Sequence, residues 1–413
     1  MRHDVKKWPR WIGALVLAQC IVASAREVQT TVKLKPGDRV VFLGDTATGQ
    51  HGYTALVADY FALCQPEMRL SFRTSSSNAI WRVSDGTVNA LPSVQADAID
   101  VRPAVAIVDF GADDAGQTGF GARQLSYFTE RLTRVVRELK QKGIAVMLLT
   151  PADPSNHGIP PGDWYEQVIE TIRAMSAKEQ ATLVDLNAVM RDLRKREKES
   201  SRPAVALSDG TTLTPAGQAI AALLVLEGLG VDTSPASLEI DATANKSDCH
   251  RCKIDGLVAA GDHMSFSRAD EALPVHLPDE AKPIDSLLPG RGMNRYGFKV
   301  TGLKAGRWTL KVHDTEIGSF TADELAAGID LSGFPGPWRA LAESVHGKSI
   351  AIEESFVVRC HYGSEPKIPA GAEPQRRALV DKLDAGIEKL ESEQAEITHT
   401  ARTWDWSLSF DKR

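Results

Sequence analysis

Three short segments carry the side chains from which a chemical centre could be built: Gly44-Asp45-Thr46, Gly111-Ala112-Asp113-Asp114 and Asp209-Gly210-Thr211-Thr212. They offer hydroxyls and carboxylates in quantity and no imidazole. A hydroxyl attacks an acyl carbon only when a base takes its proton, a carboxylate orients that base, and fixed donors hold the developing oxyanion. A base would therefore have to come from elsewhere in the chain. His51 is the histidine nearest Thr46 in sequence, and His157 lies in the long segment from Pro151 to Pro161, which could fold over a crevice. His263 reads as a surface loop residue. Without a base, the same carboxylates could bind a cation or accept hydrogen bonds from sugar hydroxyls. Short acids such as Asp45 and Asp209 also cap helix starts, and Asp113-Asp114 also reads as a solvated acidic loop.

The elements that must position these segments follow from hydrophobic periodicity. Buried-strand runs occur at Arg39 to Leu43, Leu70 to Phe72, Ala104 to Val108, Ile144 to Leu149 and Thr182 to Val184. Between them, Leu125, Phe128, Leu132, Val135, Val136 and Leu139 form one helical stripe, and Val168, Ile169, Ile172 and Met175 form another. Tyr53 to Leu63 is apolar at helical spacing, and Pro215 opens a last helix over Ala216 to Leu226. Strands alternating with helices predict a doubly wound parallel sheet covered on both faces, over residues 34–232. In such a sheet the active crevice lies at the carboxyl ends of the strands, where the first two segments stand, while the third immediately precedes the last helix.

Beyond Gly228-Leu229-Gly230 the pattern changes to short alternating runs, clearest at Phe298 to Thr301, Trp308 to Val312 and Ile317 to Phe320. This predicts a small β-rich module over residues 233–362. Leu379, Leu383, Ile387 and Leu390 then mark an amphipathic helix within residues 373–402.

Gly37-Asp38-Arg39-Val40-Val41-Phe42-Leu43-Gly44-Asp45, followed by Gly49 to Phe61, resembles the opening block of the SGNH (GDSL-like) hydrolases. Asp209-Gly210 to Pro215-Ala216-Gly217 is similar to their closing block, and Met293 to Thr321 to an extension found on some exported bacterial members. The resemblance implies a flavodoxin-like three-layer α/β/α fold, an ester hydrolase ancestry, no cofactor and no metal. It also assigns positions. Thr46 stands where the family has its serine nucleophile, Asp113 where it has the oxyanion asparagine, Asp209 at the triad acid and Thr212 where it has histidine. Ser75-Ser76-Ser77-Asn78 occupies the second block without the glycine the family uses as a donor.

Each departure has a chemical consequence. Threonine keeps a hydroxyl but adds a methyl that crowds the approach. An ionised carboxylate has no proton to donate and repels an oxyanion. Loss of a general base costs about 10²–10⁴-fold, and loss of one oxyanion donor about 10²–10³-fold. Two readings follow: a non-catalytic protein binding a carbohydrate or cell-wall ligand in the old crevice, or a working acyl or acetyl esterase using Thr46 with His51 or His157 as a relocated base.

Composition and termini bound the setting. The 413 residues, 43% hydrophobic and 25% charged, suit a globular chain of two or three domains. Arg2, Lys6, Lys7 and Arg10, the apolar run Trp11 to Val22 and Ala23-Ser24-Ala25 read as a signal peptide cleaved after Ala25, implying secretion or a periplasmic location. The net charge is −6 even with that basic segment included, which argues against nucleic acid or an anionic membrane surface as a partner. A small-molecule or polysaccharide ester fits better. Cys64, Cys249, Cys252 and Cys360 remain after cleavage and read as disulfides or free thiols rather than a zinc site, because only one CxxC is present.

Overall fold

The computed structural model describes residues 32–76, 94–115, 120–153, 163–199, 205, 207–209, 212–234, 236–281, 287–288, 292–363, 370–400 and 402–411. The expected signal peptide, His157 and residues Ser77 and Asn78 of the second block lie outside the described residues.

Five strands, β1 (Arg39–Gly44), β2 (Ser71–Ser76), β3 (Val105–Asp109), β4 (Ala145–Leu149) and β5 (Thr182–Val184), form one parallel sheet in the order β2-β1-β3-β4-β5. Their apolar runs are continuous because both faces are covered. Phe42 and Ile107 point into a core with Tyr53, Leu56 and Ile220, while Val41 and Val108 point into a second core with Phe128, Leu132 and Val168. The first face carries α1 (Thr46–Gly49), α2 (Gly52–Cys64) and a later helix, Pro215–Gly228; the second carries α3 (Ala112–Ala115), α4 (Ala122–Gln141) and α5 (Asp163–Glu179). α6 (Leu186–Glu199) follows β5. A two-stranded hairpin, β6 (Ser208–Asp209) and β7 (Thr212–Leu213), leads into α7 (Pro215–Gly228). Thr214 caps α7 by accepting from the Gly217 N–H, and Pro215 sits in the first turn, where its missing N–H costs nothing. The chain is thus a three-layer α/β fold, with the strand order reversing between β1 and β3. That reversal is the switch point at the carboxyl ends of these two strands, where doubly wound sheets hold their ligands.

The β-rich region holds two sheets. One has the order β10-β11-β16-β13-β14 and the other β15-β12-β8-β9. In chain order these strands are β8 (Ala236–Asp241), β9 (Lys246–His250), β10 (Cys252–Ala260), β11 (His263–Asp270), β12 (Tyr296–Thr301), β13 (Arg307–Val312), β14 (Thr315–Thr321), β15 (Ile329–Asp330) and β16 (Thr403–Phe410). Helix α8 (Ala322–Ala327) begins with a capping box in which Thr321 and Glu324 satisfy each other's backbone N–H groups. Phe266 of β11 stacks on Phe298 of β12 at 6.3 Å, and Trp406 of β16 packs on both, so the sheets meet face to face through aromatic rings.

The structure differs from the sequence reading in two places. Residues assigned there to the end of the β-rich module form a 27-residue helix, α9 (Pro337–Gly363), which packs on α2, on β2 and on α10 (Glu373–His399). And residues 403–410, beyond the expected terminal helix, form a strand pairing with β11 on one side and β13 on the other. The β-rich region is also anchored to the α/β region by arginines. Arg251 donates to the Cys64 carbonyl at 2.8 Å, and Arg402 donates to the Leu63 carbonyl at 2.8 Å and the Ala62 carbonyl at 3.3 Å. These are the last carbonyls of α2, the negative end of its dipole. Among the described residues no helix is long and apolar enough to cross a membrane.

Candidate functional site

The crevice is built by two strand exits that cap each other. Gly44 ends β1 and allows the close crossing, since a Cβ there would lie 2.0 Å from Thr48 Oγ1 and 2.7 Å from the Asp109 carbonyl oxygen. Asp45 follows, almost fully buried, and its N–H donates to that carbonyl at 3.1 Å. Its Oδ2 accepts from the Gly111 N–H at 3.2 Å and from the Asp113 N–H at 3.1 Å. Gly111 has a φ of +123°, a conformation open to glycine at little cost, which turns the chain from β3 into α3. In return, Asp113 reaches back to the start of α1. Its Oδ2 accepts both from the Thr46 N–H, at 3.2 Å, and from the Thr46 hydroxyl, at 2.6 Å.

That double contact decides the local chemistry. A free backbone N–H at a strand exit can donate to an oxyanion, and here a carboxylate already holds that of Thr46. The hydroxyl beside it also points at the carboxylate, and Thr46 makes no hydrogen bond to an imidazole among the described residues.

Behind these groups lies more acid. Asp109, at the end of β3, is buried and accepts from the Thr48 hydroxyl and the Tyr53 hydroxyl, both at 3.3 Å. Burial pushes its carboxyl up to about 6, against the two hydroxyl hydrogen bonds that favour the ionised form. Burial likewise raises Asp45 well above the usual carboxylate range, with Asp109 and Asp113 adding repulsion. Tyr53 is raised by burial and by the charge of Asp109.

The third segment is brought alongside by a glutamine that the sequence reading did not single out. Gln50, at the end of α1, accepts from the Leu213 N–H at 2.7 Å and donates to the Leu213 carbonyl at 3.0 Å. Gln218 of α7 donates to Gln50 at 2.9 Å and accepts from the Tyr53 N–H at 2.6 Å. This pins β7, and with it Thr212, beside α1. Thr212 pairs with Asp209 across the hairpin, and the Asp209 side chain lies outside what is described. No local pattern signals Gln50, because its partner is 163 positions away.

His51 serves a different part of the molecule. Held in the left-handed region at φ 56°, it places Nδ1 2.7 Å from Glu353 Oε2 on α9, and Thr54 donates to the same oxygen at 2.8 Å. Burial opposes the charge on His51, but the bond to Glu353 raises its pKa overall; the charges acting on it are Glu353 and Glu354, both on α9. Its ring is turned to α9. His263 is exposed at the start of β11.

Cys64, Cys249, Cys252 and Cys360 are free thiols, and among the described residues no group of three or more metal-ligating side chains is arranged around a common point. Cys64 donates to the Leu273 carbonyl at 3.2 Å and Cys252 to the Ser237 carbonyl at 3.4 Å.

The GDSL-like lipase/acylhydrolase family matches residues 37–220. A search of curated proteins found no match. Among solved structures, a gut microbial diltiazem-metabolizing enzyme is 20% identical, covers 93% of this chain and 100% of its own, and superposes with a TM-score of 0.76. That likeness extends the shared fold across both the α/β and the β-rich regions. An acetylxylan esterase from Geobacillus stearothermophilus is 20% identical over 49% of this chain and 98% of its own, with a TM-score of 0.41.

Proposed function

We propose, from the match of residues 37–220 to the GDSL-like lipase/acylhydrolase family, that this chain is an exported member whose ester-hydrolysing site has become a binding site for a hydroxyl-rich ligand, a carbohydrate or cell-wall polymer. The observation that carries this reading is Asp113 Oδ2, which accepts both the N–H and the O–H of Thr46. A substrate carbonyl would have to displace a carboxylate to reach the donor it needs. Sugar hydroxyls have the opposite requirement, since they donate, and the partly exposed Asp113 carboxylate is there to accept, while Asp45 and Asp109 lie buried behind it.

One observation favours a second reading. The 2.6 Å contact from the Thr46 hydroxyl to Asp113 is also the contact a nucleophile makes with a general base. In that case Thr46 Oγ1 bonds to the acyl carbon, its proton passes to Asp113 and then to the departing alkoxide, and water repeats the sequence to release the acid. Asp113 then replaces the histidine as base.

The two readings part in one experiment. The mature chain, Thr46→Ala and Asp113→Asn are assayed with short-chain aryl acetates, and polysaccharide binding is measured by calorimetry. Binding function predicts hydrolysis at the buffer rate in the parent and weakened binding in Asp113→Asn. Hydrolysis by the parent that disappears in both variants overturns it and establishes the Thr46–Asp113 pair.

A further inference from the structure

The turn between β9 and β10 carries two thiols that no step in the crevice uses. Cys249 sits near the end of β9 and Cys252 opens β10, with only His250 and Arg251 between them. In a straight strand these positions would lie about 10 Å apart and on opposite faces. Here the chain folds back at Arg251, whose φ of 55° lies in the left-handed region. Asn245, just before β9, bridges the reversal: its Nδ2 donates to the Leu257 carbonyl at 3.3 Å and its Oδ1 accepts from the Ala259 N–H at 3.2 Å, both on β10. Two further contacts bring the cysteines to adjacent residues of β8. Cys249 pairs across the ladder with Leu238, and Cys252 Sγ donates to the Ser237 carbonyl at 3.4 Å. Cys249 is also the neighbouring thiol whose side chain acts on Cys252.

The two thiols are not equivalent. Cys252 is buried, and burial pushes its thiol up to about 12, so it stays protonated at neutral pH. Cys249 is only half-buried and reaches solvent. The residue between them is a joint of the fold. Besides the Cys64 carbonyl, the Arg251 guanidinium donates to the Tyr60 hydroxyl at 3.0 Å and the Ser234 carbonyl at 3.3 Å. Its own carbonyl accepts from the Glu271 and Ala272 N–H groups at 3.0 and 3.3 Å. The residue that brings the two cysteines together is thus one that fastens the β-rich region to α2.

We propose that Cys249 and Cys252 are a dithiol–disulfide site, reduced in this structure, and that its closure by a small disulfide oxidant braces the Arg251 joint. The thiolate of Cys249 attacks one sulfur of the oxidant, whose S–S bond breaks and releases the first small thiolate. Cys252 then gives up its proton and attacks Cys249 Sγ, releasing the second. The protein loses two electrons and two protons, and the oxidant becomes two thiols. The order follows from burial, because the thiol that reaches solvent meets the oxidant and the buried one resolves the mixed disulfide. The bond closes a loop of four residues, so the freedom it removes from the unfolded chain lies at the turn that Arg251 must hold.

The test is mass spectrometry and thermal unfolding of the mature chain. The folded protein is incubated with oxidised glutathione, then unfolded in an alkylating agent and digested. A product lighter by two hydrogens is expected, with Cys249 joined to Cys252 and with Cys64 and Cys360 alkylated. Cys252→Ser should stop at one glutathione on Cys249. Cys249→Ser should take up glutathione at the remaining thiol of the pair about tenfold more slowly or less, since that thiol is buried. The thermal midpoint of the oxidised parent should exceed that of the reduced parent by about 2–4 °C, a gain that neither variant shows after the same treatment. The parent measurements stand even where a variant fails to fold. The proposal is overturned if all four thiols of the parent remain open to alkylation, if the parent ends with glutathione on Cys249, or if either cysteine bonds to Cys64 or Cys360 instead. Equal midpoints for the oxidised and reduced parent overturn the bracing of the joint.

Discussion

Two regions of the molecule handle buried carboxylates in opposite ways. At the seam where α9 packs on α2, each carboxylate has an imidazole: Asp59 takes His346 Nδ1 at 2.6 Å and the Ser349 hydroxyl at 2.6 Å, and Glu353 takes His51 Nδ1 at 2.7 Å. In the crevice, Asp45 and Asp109 are as deeply buried but find only amide N–H groups and hydroxyls. The chain therefore possesses acid–imidazole pairs, and even a serine beside one, yet it places them where they join helices. The serine donates to Asp59 and not to the ring, so the seam has the parts of a triad without its geometry. Residue types indicate available chemistry; their placement decides which chemistry occurs.

The contrast can be broken by neutralising one carboxylate on each side. Glu353→Ala should destabilise the fold by about 3–5 kcal/mol in denaturant titrations, because it strands His51 and opens a gap beneath α9. A loss below about 1 kcal/mol would mean the seam pair is incidental. Asp109→Asn should do the reverse. The folded pKa of Asp109 is raised to about 6 from an unfolded value of 3.8, so its ionisation works against the fold, and stability falls as pH rises between those values. The asparagine variant should gain up to about 3 kcal/mol over the parent above pH 6, with the gain vanishing below about pH 4. A variant that is no more stable at pH 8 than at pH 4, relative to parent, would erase the distinction between the regions.

Histidine titration sharpens the comparison further. Burial disfavours the charged ring of His346, but its bond to Asp59 outweighs that and raises the pKa, as Glu353 does for His51. Groups raised in this way stabilise the fold fully below the unfolded histidine value of about 6.5 and lose that contribution as pH climbs through the folded value. The parent should thus weaken on going from pH 6 to pH 8.5. The double variant His51→Gln, His346→Gln should show a flatter profile over that window, and an unchanged slope would place the titration elsewhere. The smallest effect is expected from Thr46→Val, about 0.5–1 kcal/mol, since Asp113 keeps the N–H contact and loses only a hydroxyl bond.

Much of this was legible in the sequence, and the omissions have physical causes. The five parallel strands read directly from Val40 to Leu43 and its counterparts because strands buried on both faces are uniformly apolar. Thr46, Asp113 and Thr212 were found as positions, but the bond between Thr46 and Asp113 spans 67 residues and the one between His51 and Glu353 spans 302, distances at which no periodicity speaks. Helix α9 escaped because its buried face includes Ser349 and Glu353 among Val345, Ile352 and Phe356, so the stripe is interrupted by the very groups that face α2. Strand β16 alternates plainly, with Trp404, Trp406 and Leu408 inward, and its neighbours in the sheet lie more than ninety positions upstream.

That last strand has a consequence for how the molecule comes into being. β11 and β13 share no hydrogen bonds of their own; β16 joins them. A ribosome therefore releases two half-sheets with exposed inner edges long before their common partner is made, while the α/β layers can close as soon as α7 is complete. The aromatic interior, with Phe266 and Phe298 on the early strands and Trp406 on the late one, must wait. Assembly is ordered in time, and the interval before residues 403–410 arrive is when the nascent chain is most exposed to edge-to-edge aggregation.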